Sequence, residues 1–237
     1  MPNDNDAMSQ KGPRPSDAKR IERHAFDTAS LSEAEALQQF QHLVMAPGWI
    51  EPQSLPLAVR VVTYWLADSR LRVFESTPYR VTRSAEKIAS DRLDHIIVTY
   101  VIEGSVRGDC DGRTFEAPPG AVYLHDFSRP TWVEGVPDAR VKLYRYAMFG
   151  LTRPIASRWF GTLAALHGAV LLSEQAPELS QWMRSLVARV ETMTVAEAPR
   201  ELDATMERLA FALAPQIAGT LPAEYVAGVV GTCAAAD

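Results

Sequence analysis

Cysteine is nearly absent from this chain: there are two in 237 residues, Cys110 and Cys233, with no metal-type spacing between them and too few to build a disulfide framework. Long apolar runs are absent as well, since no stretch approaches the roughly 18 uncharged residues of a membrane helix. The start, Met-Pro-Asn-Asp-Asn-Asp, has neither the basic nor the apolar part of a secretion signal. These absences point to the cytoplasm, to two free thiols and to no membrane partner. Positive charge is not in excess either. The formal net charge is −5 and the isoelectric point is near 5.6, so the chain has no overall attraction to nucleic acid or anionic lipid. What is present is apolar material, 47% of all residues, enough for the core of one large domain or of one domain with a small helical part.

The stretch from Gly112 to Pro130 organises the rest. Asp111-Gly112 accepts the positive φ angles of a two-residue hairpin, and Pro118-Pro119-Gly120 marks a second turn. Between and after them, Arg113 to Ala117 and Ala121 to Phe127 read as strands, the second alternating Val122 and Leu124 against Tyr123, His125 and Phe127. Further strands are expected over Leu57 to Leu66, Leu71 to Ser76, Arg80 to Arg83, Asp94 to Glu103, Ser105 to Cys110, Thr131 to Glu134 and Val141 to Phe149. In Asp94 to Glu103 one face carries Ile96, Val98, Tyr100 and Ile102, the other His95, Ile97, Thr99, Val101 and Glu103. So many short strands separated by turn residues predict a sandwich or barrel.

Helical signals flank this region. Residues 1–23 are polar and read as a disordered arm. Ser30 and Glu33 have capping-box spacing ahead of Leu37, Phe40 and Val44, with Pro47-Gly48 as the stop. Later, Leu179, Trp182, Met183, Leu186, Val190 and Met193 recur at helical spacing, as do Leu202, Met206, Leu209 and Leu213 after Pro199, with Pro215 expected to end the second helix. Two helices so closely joined predict an antiparallel hairpin. The expected architecture is mainly β with α: a cupin-like β-barrel or double sheet over residues 24–150, a helical segment over 151–218, and a tail or linker over 219–237.

Little in this frame favours catalysis. Metal-binding cupins carry a His-x-His pair, which occurs nowhere here, and the residue three after Gly120 is Tyr123 rather than histidine; no metal and no cofactor is expected. Ser128, His125 and Asp126 stand too close on one strand to form a triad. A small barrel can instead hold one organic ligand. Tyr100, Tyr123, His125, Trp132, Tyr144 and Tyr146 are the candidate contacts, because aromatic rings with polar tips offer face contact and directional hydrogen bonds. Sequence parity leaves open which strand face looks inward.

A family likeness rests on Phe26-Asp27-Thr28, Arg83, Asp91-x-x-Asp94-His95, Gly104, Asp111-Gly112-Arg113, Pro119-Gly120-Ala121, Asp126-x-x-Arg129-Pro130, Leu166-His167-Gly168 and Ala214-Pro215. In this order they resemble the N-terminal effector-binding and dimerisation domain of AraC-type transcriptional regulators, over residues 24 to 218. The resemblance implies a metal-free barrel, a small organic effector, no enzymatic activity and homodimerisation through the paired helices, with Leu179, Trp182, Met183, Leu186, Leu202, Met206 and Leu209 as the candidate interface. Members of the family continue into two helix-turn-helix units. Leu221 to Asp237 is rich in Ala, Gly and Val without a basic recognition helix, so DNA contact is expected only through a domain not present in these residues. A metal-dependent cupin enzyme and a truncated partner of a full-length regulator are the alternatives.

Overall fold

The computed structural model describes residues 19–44, 47–137 and 142–218. Among these residues twelve strands form, beginning with β1 (Arg23–Asp27), β2 (Trp49–Pro52), β3 (Val59–Leu66), β4 (Ser69–Ser76), β5 (Tyr79–Arg83) and β6 (Ile96–Glu103). They continue with β7 (Ser105–Cys110), β8 (Arg113–Ala117), β9 (Val122–Asp126), β10 (Thr131–Val136), β11 (Tyr144–Leu151) and β12 (Ala169–Leu171). The larger sheet has the order β1-β3-β4-β11-β6-β9-β12 and the smaller one β2-β5-β10-β7-β8. All their pairings are antiparallel. The fold is thus the double sheet of the two expected forms, not a closed barrel.

Local chemistry sets the turns. Asp111 and Gly112 both take positive φ, 54° and 80°, as the expected two-residue hairpin between β7 and β8 requires. Gly120, at φ +87°, turns the chain from β8 into β9. The helices are α1 (Glu33–Gln39), α2 (Ala85–Asp91), α3 (Arg153–Phe160), α4 (Pro177–Arg189) and α5 (Ala198–Ala218). The capping box of α1 is Ser32 with Glu35 rather than Ser30 with Glu33. The Leu31 N–H is taken by the Thr28 carbonyl in a preceding turn, which delays the helix by two residues. A π-helical turn over Phe40–Val44 follows and places Phe40, fully buried, against Tyr79 inside the sheets.

Pro215 does not end α5 but lies within it. The hydrogen bond its ring forgoes would have reached the carbonyl of Phe211, an 81% exposed residue, where water can replace it. Two elements absent from the strand-rich reading, α2 and α3, have short serine- or proline-led starts: Ser84 caps α2, and Pro154 sits in the first turn of α3. The expected arm is described only from residue 19. There Ile21 is buried and its N–H donates to the Met193 carbonyl, tying the segment just ahead of β1 to the turn that follows α4.

Alternation divides the core in two. Leu66, Leu71, Ile96, Val98, Tyr100, Val122, Leu124 and Phe149 face outward from the larger sheet and join one cluster with residues of α3, α4 and α5. That cluster includes Leu179, Met183, Leu186, Leu202, Met206 and Leu209, each at most 8% exposed. The stripe expected at a dimer interface is therefore the helices' own contact with the sheet and with each other, because one apolar face per helix is consumed in covering the sheet. Trp182 is partly buried beside it. Its Nε1–H donates to Thr205 Oγ1 at 2.9 Å, and the guanidinium groups of Arg189 and Arg208 lie 4.8 and 3.9 Å from its ring centre.

Candidate functional site

The opposite strand faces enclose a cavity of about 510 Å³ between the two sheets, a volume typical of small-molecule sites. From β6 it receives Ile97 and Thr99, from β9 Tyr123 and His125, and from β11 Tyr144, Tyr146 and Met148. The smaller sheet supplies Tyr79 and Val81 from β5 and Thr131 and Val133 from β10. Exposed Asp68, Arg70 and Thr152 lie at its rim.

Four of the six candidate pocket residues, Tyr123, His125, Tyr144 and Tyr146, line this space. Two do not. Tyr100 belongs to the strand face of Ile96 and Val98 and is packed in the helix-side core. Trp132 alternates with inward Thr131 and Val133, so its ring lies on the opposite face, where the Arg80 guanidinium stands 4.5 Å from its centre. Tyr79 was missed. It precedes the expected strand start at Arg80, yet it opens β5, pairs with Pro52 of β2 and is buried at 1% exposure.

Tyr79, Tyr144 and Tyr146 form a phenol cluster at one end. The Tyr79 and Tyr146 hydroxyls are hydrogen-bonded, and Phe74 stacks on Tyr146 with ring centres 4.4 Å apart. Burial pushes the Tyr79 hydroxyl up to about 12 and those of Tyr144 and Tyr146 well above the ordinary phenol value. All three stay neutral at physiological pH. Gly135 makes room for the cluster: a Cβ there would lie 2.2 Å from Tyr144 Cζ.

His125 occupies the inner face of β9 between Tyr123 and Phe127, its ring centre 6.0 and 5.3 Å from theirs. It is 5% exposed, and its Nδ1 has no hydrogen-bond partner among the described residues. Burial, reinforced by His167, lowers its pKa from 6.5 to about 3, which keeps the imidazole neutral. Thr99 Oγ1 is buried, interacts with the Tyr123 hydroxyl, which holds the Tyr123 pKa down against burial, and has no other hydrogen-bond partner among the described residues.

Arg83 also borders the cavity, yet its charge is spent on the frame. Its Nε–H donates to the Phe127 carbonyl, one Nη pair to the Pro47 carbonyl and Asp91 Oδ2, and the other to Asp91 Oδ1 and the Leu93 carbonyl. All five donors of the guanidinium are occupied. In return the guanidinium holds the Asp91 carboxyl down at about 2.

Other motifs that carry the family likeness prove to be corners of the same frame. Asp126 accepts from the Ser128 N–H and hydroxyl and pairs with Arg153 at 2.7 Å. His167, fully buried, accepts the Asp126 N–H on Nδ1 and faces the Pro130 carbonyl with Nε2. Asp111 pairs with Arg129. Cys110 is buried beside Thr131 Oγ1, burial raising its thiol pKa; Cys233 lies outside the described residues. No three His, Cys, Asp or Glu side chains converge as a metal site among the described residues. No helix among them is long and apolar enough to cross a membrane.

An antiparallel double sheet with a ligand-sized, aromatic-lined interior and helices on one outer face defines the class. The sequence profile of the AraC-like ligand binding domain matches residues 76–210, more than half of the chain, and the chain belongs to that family. Among solved structures, the AraC-like transcriptional activator CuxR superposes with a TM-score of 0.71 at 16% identity, covering 81% of this chain and 70% of that one, a likeness of fold. The Schizosaccharomyces pombe Cnp3 cupin domain gives 0.33 at 12% identity over 46% of this chain and 78% of that one. The EutQ protein of Clostridium difficile gives 0.29 at 17% identity over 40% and 68%. A search of curated proteins found no match.

Proposed function

We propose that this chain is the effector-sensing and dimerisation module of an AraC-type transcriptional regulator, acting in the cytoplasm and without enzymatic activity. The observation that carries this reading is the cavity of about 510 Å³ with a buried imidazole on its wall, His125, whose Nδ1 has no hydrogen-bond partner among the described residues. Buried polar groups without partners are uncommon in folded proteins, and a ligand group is one way to complete them. Tyr123, His125, Tyr144 and Tyr146 are the proposed contacts to a small organic effector. Operator DNA is read through a helix-turn-helix domain outside these residues.

In this reading residues 24–150 sense and residues 151–218 mediate pairing. Since the apolar stripe of α4 and α5 is buried within the chain, a homodimer engages the outward side of α5, where Phe211 is 81% exposed. Effector binding then shifts the balance between two arrangements of the dimer through differential affinity. Native mass spectrometry of the purified chain provides the test. A dimer retaining a small organic molecule supports the module; a monomer carrying stoichiometric iron, zinc or manganese transfers the chain to the metal-dependent enzymes.

A further inference from the structure

Thr99 and His125 lie on adjacent strands of the larger sheet. Thr99 pairs with Tyr123 and Ile97 with His125, so the two polar side chains are diagonal neighbours on the cavity face. Their backbones stand about 7–8 Å apart, a gap one small polar group can bridge. Around them the lining is mainly apolar or aromatic, from Ile97, Val106, Val133, Tyr123 and Phe127, with the Tyr123 hydroxyl turned to Thr99 and the Thr131 hydroxyl engaged by the Asp109 carbonyl. A hydroxyl and a neutral imidazole each combine a donor with an acceptor. Among the described residues His125 Nδ1 has no hydrogen-bond partner, and Thr99 Oγ1 has none beyond its interaction with the Tyr123 hydroxyl, which leaves lone-pair capacity for a guest.

The cation at this end does not ask for an anion. Arg83 has every donor engaged and Asp91 as its counter-charge. A carboxylate brought here would meet no unoccupied guanidinium donor and a neutral imidazole, and would have to shed its hydration in an apolar slot. A hydroxyl loses much less and can both donate and accept. Arg70 and Arg72 stand elsewhere on the lining. In the row Arg72, Met148, Thr99 the arginine is two strands away from Thr99, roughly 10 Å at the ordinary spacing of strands.

We infer that Thr99 and His125 form a specificity pair that takes an uncharged hydroxyl of the effector, so that the cavity selects alcohol- or phenol-bearing molecules over hydrocarbons and carboxylates of similar size. This inference rests on the effector reading of the same cavity. The pair sits in an aromatic slot, with Tyr123 and Phe127 flanking His125 on its own strand. A ring bearing the hydroxyl therefore fits better than an aliphatic chain.

Phenol, toluene and benzoate at neutral pH separate the possibilities, each titrated into the labelled full chain and followed by NMR shifts of cavity-lining residues. Phenol is expected to bind about tenfold or more tighter than toluene, although toluene is the more hydrophobic of the two, and tighter than benzoate. His125 ring nitrogen resonances should move with phenol alone. In His125→Phe, which keeps an aromatic ring in the slot, phenol should lose its advantage while toluene binding holds.

Equal or tighter toluene binding overturns the pair but leaves the cavity a ligand site. Tighter benzoate binding also overturns it and moves recognition to the Arg70 and Arg72 end. If none of the three probes reaches the cavity, the inference falls together with the effector reading. Should His125→Phe not fold, the three-probe comparison on the unaltered chain still decides.

Discussion

Gly135 lies against the face of the Tyr144 ring so closely that a methyl group on it would coincide with the ring, 2.2 to 2.5 Å from three ring carbons. The absent side chain of one sheet thus defines where a phenol of the other sheet rests. Gly135→Ala should displace Tyr144, break the phenol cluster and cost about 1–3 kcal/mol, the usual range for overpacking a filled core. Denaturant unfolding measures the cost. A variant as stable as the parent, with an unchanged Tyr144 environment by NMR, would contradict this relationship.

The Arg83–Asp91 pair predicts an acid-sensitive frame. Asp91→Asn leaves a guanidinium that is 1% exposed without its counter-charge and should destabilise by about 3–5 kcal/mol. The Asp91 carboxyl is held down at about 2, against 3.8 ordinarily. Its contribution is therefore complete above the unfolded value and is lost as pH falls through the folded one, between about pH 4 and 2. Unfolding curves at descending pH should show this loss in the parent and not in Asp91→Asn.

His125 acts in a different window. Its folded pKa of about 3 lies below the ordinary 6.5, so between those values the unfolded chain binds more protons and stability rises with pH. His167, also lowered mainly by burial, adds in the same direction. Stability should fall steadily from pH 6.5 towards 4, and His125→Phe should reduce that slope. An unchanged slope would mean that the imidazole is protonated as readily in the folded chain as outside it.

Tyr79 and Tyr146 share a hydroxyl-to-hydroxyl hydrogen bond in the cavity. Tyr79→Phe leaves the Tyr146 hydroxyl short of a partner and should cost about 1–3 kcal/mol. The double variant with Tyr146→Phe should cost less than the sum of the two single changes, since both then remove the same bond. Additive costs in a double-mutant cycle would show that the two hydroxyls are energetically independent.

Met206 is fully buried in the helix-side core. Met206→Ala should lower stability by about 2–5 kcal/mol through the cavity it leaves, without altering the mass of the assembled particle. Sedimentation beside denaturant unfolding distinguishes the two roles. A loss of association at unchanged stability would return the stripe to an interface.

Much of the fold was legible because period-two alternation and turn chemistry agree along the β region. The Asp111-Gly112 hairpin and the turn at Gly120 needed nothing beyond local sequence. The site was legible in half-measure. Parity separated Tyr123 and His125 from Val122 and Leu124, yet only the placement of α3 to α5 against one face of the larger sheet decides which set looks into the cavity. Tyr100 and Trp132 fell on the wrong side for that reason. The helical stripe posed the same ambiguity, because an apolar face looks alike whether a sheet of its own chain or a second copy covers it. The motifs that carried the family likeness, Arg83 with Asp91 and Asp126 with His167, hold the walls together rather than touch the cavity interior freely.

β9 separates two interiors by a single backbone. Tyr123 and His125 project into the cavity, while Val122 and Leu124, alternating with them, lie in the core shared with the helices. A shift of this strand by a guest on one side is a shift of the floor beneath the helices on the other. In the proposed sensing module, the path from an occupied cavity to the helices then needs no relay of residues: it is as short as the thickness of one polypeptide chain.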